Sequence, residues 1–233
     1  LLGVMAATAV LTGALVVGDS VRYSLRHLTL DRLRRIDHLL LVDRFFRAEL
    51  AEELKKDWGP SDEVEAVPAI IMPTATAEVP RAKGRSLAAG VTLIAADQPF
   101  WDLNESNEEQ AKIIAPQPGE VLLNEPLASE LNAKVGDTLI VRIPKATQVS
   151  EDSPLGRKDD RLTSLAELKV REIIPAQGLG RFSLHPMQTS PRLAFVALAP
   201  LQETLEQPGK ANAIVVASKS ERQGLSPAFT AKL

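Results

Sequence analysis

EVLLNEPLASELNAKVGDTLIVRI, residues 120–143, is the stretch whose pattern reads most completely as folded structure. Glu120–Leu123 is a short strand. Asn124 then sits where a helix must start, and an Asn side chain accepts from backbone N–H groups that the first turn leaves unpaired. Pro126 falls in that first turn, where a missing N–H costs nothing. Leu127 and Leu131 lie four residues apart and share the face turned to a core. Val135-Gly136-Asp137 reverses the chain, and Thr138–Ile143 returns as a strand. Strand, short helix, turn and strand set the fold class as α+β.

Working outward, Val91–Ala96 is a strand, followed by a turn at Ala96–Trp101 with an aromatic pair behind it. Asn104–Gln110 is polar and acidic, as an exposed loop would be. Pro80–Gly90 is a basic stretch containing glycine and reads as a boundary loop. Further upstream, Ile36–Val42 is a continuous apolar run suited to a buried strand, and His38 within it is read as structural. Asp43 is placed to cap a helix whose buried face is Phe46, Leu50, Leu54 and Trp58, ended by Gly59-Pro60. Val64–Met72 is a second strand, and Pro68 and Pro73 push it towards a sheet edge. Downstream, Pro144–Thr163 is a long polar loop around SPLGRKDD, a length usually kept for binding or mobility. Leu165–Ile174 is a strand, and 175–191 is irregular around GLGRFSLHP. Leu193–Leu198, Pro200–Glu206 and Ala213–Ala217 close the chain as strand, helix, strand, and 219–233 reads as a linker. Two strand–helix–strand units thus bracket a strand-rich middle. The expected architecture is a discontinuous α/β subdomain (37–80 and 190–218), which the family resemblance given below makes porter-like, with an inserted strand-rich subdomain (81–189). Residues 37–72 and 192–217 are predicted to share one sheet.

The N-terminal stretch differs in kind. LLGVMAATAVLTGALVVG carries no charge before Asp19. As a helix, Leu1–Gly18 spans about 27 Å, just short of a hydrocarbon core of about 30 Å. It runs on into DSVRYSLRHLTLDRLRRI with no breaker and no small-residue cleavage site, which argues against a cleaved signal peptide. The reading is a partial transmembrane helix (1–18) continued by a stalk helix (19–36). Since the chain opens inside an apolar run without Met, it is read as a piece of a longer protein. Val21, Leu25, Leu28, Leu33 and Ile36 approximate a helical stripe, and Arg22, Arg26, Arg32, Arg34 and Arg35 lie mostly off it. Arginines beside a span favour the cytoplasmic side. That rule weakens when a long domain follows, so the domain is placed outside the membrane.

Composition excludes several chemistries. The 233 residues include no cysteine and three histidines, so there is no disulfide, thiol nucleophile or thiolate metal site. A net charge of −3 gives no basic field for nucleic acid, and 4% aromatic residues give no stacking platform. No phosphate-cradling loop, HExxH or GxSxG pattern is present. Ser183 and His185 are two apart, a spacing that does not by itself build a catalytic pair. Glu151/Asp152 and Asp159/Asp160 sit in a polar loop. No catalytic residue, metal or cofactor is assigned. Gly178, Gly180, Arg181 and Phe182 form the candidate contact loop, set against a purely structural turn at even weight. Arg22, Arg26, Leu28 and Arg32 mark the stalk.

Taken in order, these pieces resemble the extracytoplasmic core of FtsX/MacB-type ABC transporter permeases. GDSVRYSLRHL resembles the family's stalk after its first membrane helix. VTLIAADQPFWDL resembles its strand and aromatic turn. EVLLNEPLASELNAKVGDTLIVRI is the most telling match, followed by LKVREIIPAQGLG and RLAFVALAPLQETLEQPGKANAIVVAS. The resemblance implies further membrane helices, a cytoplasmic ABC ATPase as a separate subunit or domain, and a second permease copy or homologue. It also implies a periplasmic partner protein, contact with the bilayer of the inner membrane, and mechanotransmission by the stalk. The alternatives are a singly anchored periplasmic binding or chaperone module, and a membrane-tethered hydrolase.

Overall fold

The computed structural model describes residues 2–57, 64–81, 84–104, 112–144, 162–184 and 189–218. A single helix, α1 (Leu2–Leu33), precedes an α+β domain. The domain runs β1 (His38–Arg47), α2 (Leu50–Asp57), β2 (Val64–Arg81), β3 (Gly84–Ala95), α3 (Gln98–Asp102), β4 (Glu120–Asn124) and α4 (Glu125–Leu131). It continues with β5 (Thr138–Pro144), β6 (Leu162–Ile174), a 3-10 turn (Gly178–Arg181), β7 (Leu193–Val196), α5 (Leu198–Thr204) and β8 (Lys210–Ser218).

The eight strands lie in the order β1-β8-β2-β3-β7-β4-β6-β5, and β5 also pairs with β2. That last pairing closes β2, β3, β7, β4, β6 and β5 into a ring. β2 belongs to both parts. Its Val64–Ala69 segment pairs with β8, and from Ile70 onward it pairs with β3. Pro68 lies in the β8-paired segment, and Pro73 lies between Met72 and Ala75, where the β2–β3 register shifts. A proline cannot donate to a ladder, so a strand edge and a bulge are where it is tolerated.

Neighbouring residues on the middle strands face different cores. Ile70, Leu93, Leu123, Ala194 and Val196 point into the closed ring, with Leu127 and Leu131 of α4 plugging it. Ile71, Ile94, Leu122, Leu193 and Phe195 point the other way, into a second core with Phe100, Trp101, Leu179 and Phe182. Strands buried on both faces read as unbroken apolar runs and not as alternation, which accounts for PAIIM, VTLIA and RLAFVALA. A third, smaller cluster packs α2 on β2 and β8 through Ala51, Ala66, Ile214 and Val216.

The unit at 120–143 folds as its pattern dictates. Asn124 caps α4, accepting from the Leu127 N–H at 3.2 Å. Elsewhere tertiary pairing overrides local pattern. The helix expected from Asp43 starts only at Leu50, because β1 runs on to Arg47 and Phe46 pairs with Ala211 of β8. Phe46 still reaches the core beneath α2, alongside Leu50 and Leu54, but from a strand. Trp58 lies outside the described residues. Pro80–Gly90 is likewise strand and not loop: β2 and β3 form a hairpin that is paired as far as Arg81 and Gly84. Its small residues Ala77, Val79 and Ala88 are buried, and Arg81 pairs with Asp137 and Arg85 with the buried Glu78. The segments predicted to share one sheet all lie in the eight-stranded order: β1, β8 and the first part of β2 are direct neighbours, and β7 is reached through β3.

Candidate functional site

The long helix meets the domain at one joint. From Thr8 to Leu30 the described side chains of α1 are exposed, including Leu11 at 66%, Leu15 at 69% and Val17 at 63%. Among the described residues no helix is long and apolar enough to cross a membrane. The apolar run also takes in Leu1, Leu2, Val4, Ala6 and Ala7, whose side chains lie outside the described set.

The helix stops sharply. Leu33 is its last residue, and Arg34 takes a left-handed conformation with φ 47°. Its guanidinium reaches Asp31 at 3.2 Å. A cation at a helix C-terminus complements the exposed carbonyls there. The next residues are pinned to two different elements. The Arg35 N–H donates to Leu103 O at 3.3 Å, past α3, and the Asp37 N–H donates to Val216 O of β8 at 3.0 Å. The Asp37 carboxylate accepts from the Ser218 N–H at 2.8 Å. Between them Ile36 is buried in the second core, worth about 1.5–3 kcal/mol for a side chain of this size.

The candidate contact loop forms the other half of this joint. Gly178, Leu179, Gly180 and Phe182 are buried, and Arg181 is half-buried. Gly178 has φ 53°, and a Cβ there would collide with the Arg34 guanidinium and with Asn104 Oδ1. A Cβ on Gly180 would overlap the Pro175 carbonyl. Close approach to backbone requires glycine at Gly180, and the left-handed conformation favours it at Gly178. Asn104 Oδ1 accepts from the Leu179 N–H at 3.0 Å, and Phe182 packs edge-on to Phe100, with ring centroids 6.4 Å apart.

Asn124 ties the loop to the ring. It is fully buried and uses its whole hydrogen-bonding capacity. Its amide donates to Gly180 O at 2.9 Å and to Pro191 O at 2.7 Å. Its oxygen accepts from the N–H groups of Leu127 at 3.2 Å and Leu193 at 3.0 Å. The capping role was legible in sequence. The other partners, 56, 67 and 69 residues away, carried no local signal.

The stalk residues separate by position. Arg22 and Arg26 are exposed, Leu28 is 39% exposed, and Arg32 is half-buried at the joint with its Nε out of solvent and without an acceptor among the described residues. A cleft of about 400 Å³ runs beneath the last turn of α1, between Arg32, Ile36, His38 and Ser183. His185 lies outside the described residues, as do Glu151, Asp152, Asp159 and Asp160. A second cleft of about 310 Å³ lies between α2, β2 and α3, lined by Glu52, Glu65, Asp97 and Asp102 with Lys55. Burial raises the pKa of Asp102. A hydrogen bond from Gln98 at 3.1 Å and the Lys112 ammonium at 3.0 Å outweigh that and hold the carboxyl below its ordinary value. Among the described residues no group of His, Asp or Glu could hold a metal ion.

No protein-family model matches the chain and no curated protein matches it. Solved structures do. The periplasmic region of MacB from Actinobacillus actinomycetemcomitans is 12% identical, covers 87% of this chain and 84% of its own, and superposes with a TM-score of 0.47. The extracellular domain of the ABC-type transporter YknZ from Gram-positive bacteria is 13% identical, with 79% and 84% covered and a TM-score of 0.41. A domain assigned to a permease protein from Porphyromonas gingivalis is 16% identical, with 86% and 81% covered and a TM-score of 0.43.

Proposed function

We propose that this chain is the extracytoplasmic part of an ABC transporter permease, with α1 as the lever that joins the membrane to the domain. The observation that carries the reading is the asymmetry of α1. Its N-terminal half exposes apolar side chains such as Val10, Leu11, Leu15, Val16 and Val17 around the helix, and its C-terminal end is built into a core at Leu33–Ile36. A helix that is apolar all round needs an apolar surrounding, and a bilayer supplies one. The order of sequence pieces shared with FtsX/MacB-type permeases adds the class of assembly. In this reading ATP is hydrolysed by a cytoplasmic subunit or domain, a second permease copy stands alongside, and the domain engages a periplasmic substrate or partner protein through mechanotransmission. The chain itself performs no covalent chemistry.

Placement of the domain is directly testable because the chain has no cysteine. Val135 is 63% exposed on the domain, so Val135→Cys introduces a single reactive thiol. In intact cells, spheroplasted where an outer membrane is present, a membrane-impermeant maleimide is expected to label it. Labelling only after the membrane is permeabilised would reverse the topology and end the proposal.

A further inference from the structure

The exposed part of α1 between the apolar run and the joint is not uniform. Arg22 and Arg26 lie four residues apart on one helix face, and Tyr23 and His27 lie four apart on the adjacent face, their ring centroids 6.4 Å apart. All four are exposed, with Tyr23 at 72%. Neither arginine has an ion-pair partner among the described residues, although Asp19 lies one turn below Arg22. Nearer the domain, Arg34 pairs with Asp31 and Arg35 with Glu65, and Arg32 is half-buried at the joint with its Nε out of solvent. Arg22 and Arg26 are thus the two exposed arginines of α1 and the two nearest the apolar segment.

Their height and direction fit one surrounding. At about 1.5 Å of rise per residue, Arg22 stands about 6 Å and Arg26 about 12 Å beyond Gly18. Headgroups occupy roughly 5–8 Å on each side of the hydrocarbon core. Side chains on a helix slant towards its N-terminus, which in α1 is the apolar end. Both guanidiniums therefore reach back towards the apolar run, so that Arg26 covers much of its extra height. Tyr23, with an apolar ring and a polar hydroxyl, suits the same layer.

We propose that Arg22 and Arg26, with Tyr23 beside them, form a docking collar for the phosphates of anionic phospholipids, fixing the depth at which α1 leaves the bilayer. This rests on the reading of residues 1–18 as a membrane segment. The occupant is a lipid surface and not a soluble anion. The two guanidiniums stand in open solvent with no walls to enclose a small ion, and only a surface already anchored by the apolar run brings phosphates to both heights. Each arginine near such a surface is worth roughly a fivefold change in partitioning, so the pair contributes about twenty-five-fold.

Flotation of the full chain with vesicles separates this inference from the reading beneath it. Vesicles of phosphatidylcholine alone report the apolar run. Vesicles of phosphatidylcholine mixed with phosphatidylglycerol report the collar. The wild-type chain is expected to float with both and to partition more strongly into the mixed vesicles. That excess is expected to disappear in molar sodium chloride, where screening shortens to about 3 Å, and to persist in millimolar inorganic phosphate. R22Q/R26Q is expected to lose the excess while keeping the baseline, R22K/R26K to keep most of it, and Arg44→Gln, on the domain, to change nothing. An excess retained in R22Q/R26Q, or none in the wild type, would overturn the collar and leave the anchor standing. No flotation with either vesicle would overturn both.

Discussion

At the scale of single residues, the molecule depends on buried polar groups whose partners come from distant parts of the chain. Asn124 is the clearest case. Asn124→Ala removes the cap of α4 and strands the carbonyls of Gly180 and Pro191 and the N–H of Leu193 in a dry core. Each stranded group costs about 1–3 kcal/mol, so the variant is expected to lose at least about 3 kcal/mol in urea unfolding. An unchanged midpoint would refute the hub. Asp102 gives a weaker, pH-dependent contribution. Its folded pKa lies below the ordinary value of 3.8, so its stabilisation is present above that value and is lost as pH falls through the folded pKa. Its side chain is 37% exposed, which limits the effect to a few tenths of a kcal/mol. Urea midpoints of wild type and Asp102→Asn should differ slightly at neutral pH and converge below 3.8. A gap that widened on acidification would contradict this. Residue patterns in the sequence named Asn124 as a cap, and Gly178, Gly180 and Phe182 as a loop of interest. They could not show that this loop is buried against the end of α1, because Arg34 and Asn104 approach it from 144 and 74 positions away along the chain.

At the scale of elements, α1 is the proposed lever. It is one helix from Leu2 to Leu33, uninterrupted by its glycines Gly3, Gly13 and Gly18. A proline inside a helix removes a hydrogen bond, clashes with the preceding turn and costs about 3 kcal/mol or more. Leu28→Pro breaks α1 at a position 39% exposed and outside the cores, so the thermal midpoint of the domain should stay within a degree or two. In the assembled transporter, ATP hydrolysis should continue while the transport or extraction step it drives is lost. Retention of that step would show that α1 is not a lever. This element was legible from its apolar run and unbroken stripe. The extension of β1 through Phe46 was not, since the spacing of Phe46, Leu50 and Leu54 fits a helix equally well and only the ladder to Ala211 decides between them. The β2–β3 hairpin was hidden for a similar reason. Its ring-facing residues are the small Ala77, Val79 and Ala88, and the charges around them resemble a loop.

At the scale of the whole molecule, the joint between α1 and the domain joins two structural blocks. Ile36 and Asp37 fasten the helix end to β8, and through it to the β1-β8-β2 part of the sheet. Arg35 fastens it to Leu103 after α3, while the Gly178–Arg181 turn meets it from the side of the closed ring through Asn124. In the proposed lever reading, a helix held from both sides in this way moves with the domain as one body. Motion of its membrane end then becomes motion of the whole domain instead of bending at the joint. Electron–electron distance measurement tests this most directly. Leu25→Cys on α1 and Ile114→Cys on the domain are 59% and 64% exposed, and the cysteine-free chain allows both to be spin-labelled cleanly. In bilayer-embedded protein the account predicts one narrow distance distribution, which Leu28→Pro broadens because the break lies between the Leu25 label and the joint, and which Ile36→Ala broadens by loosening the joint itself. A broad or multiply peaked distribution in the wild-type chain would contradict the claim that helix and domain form a single lever.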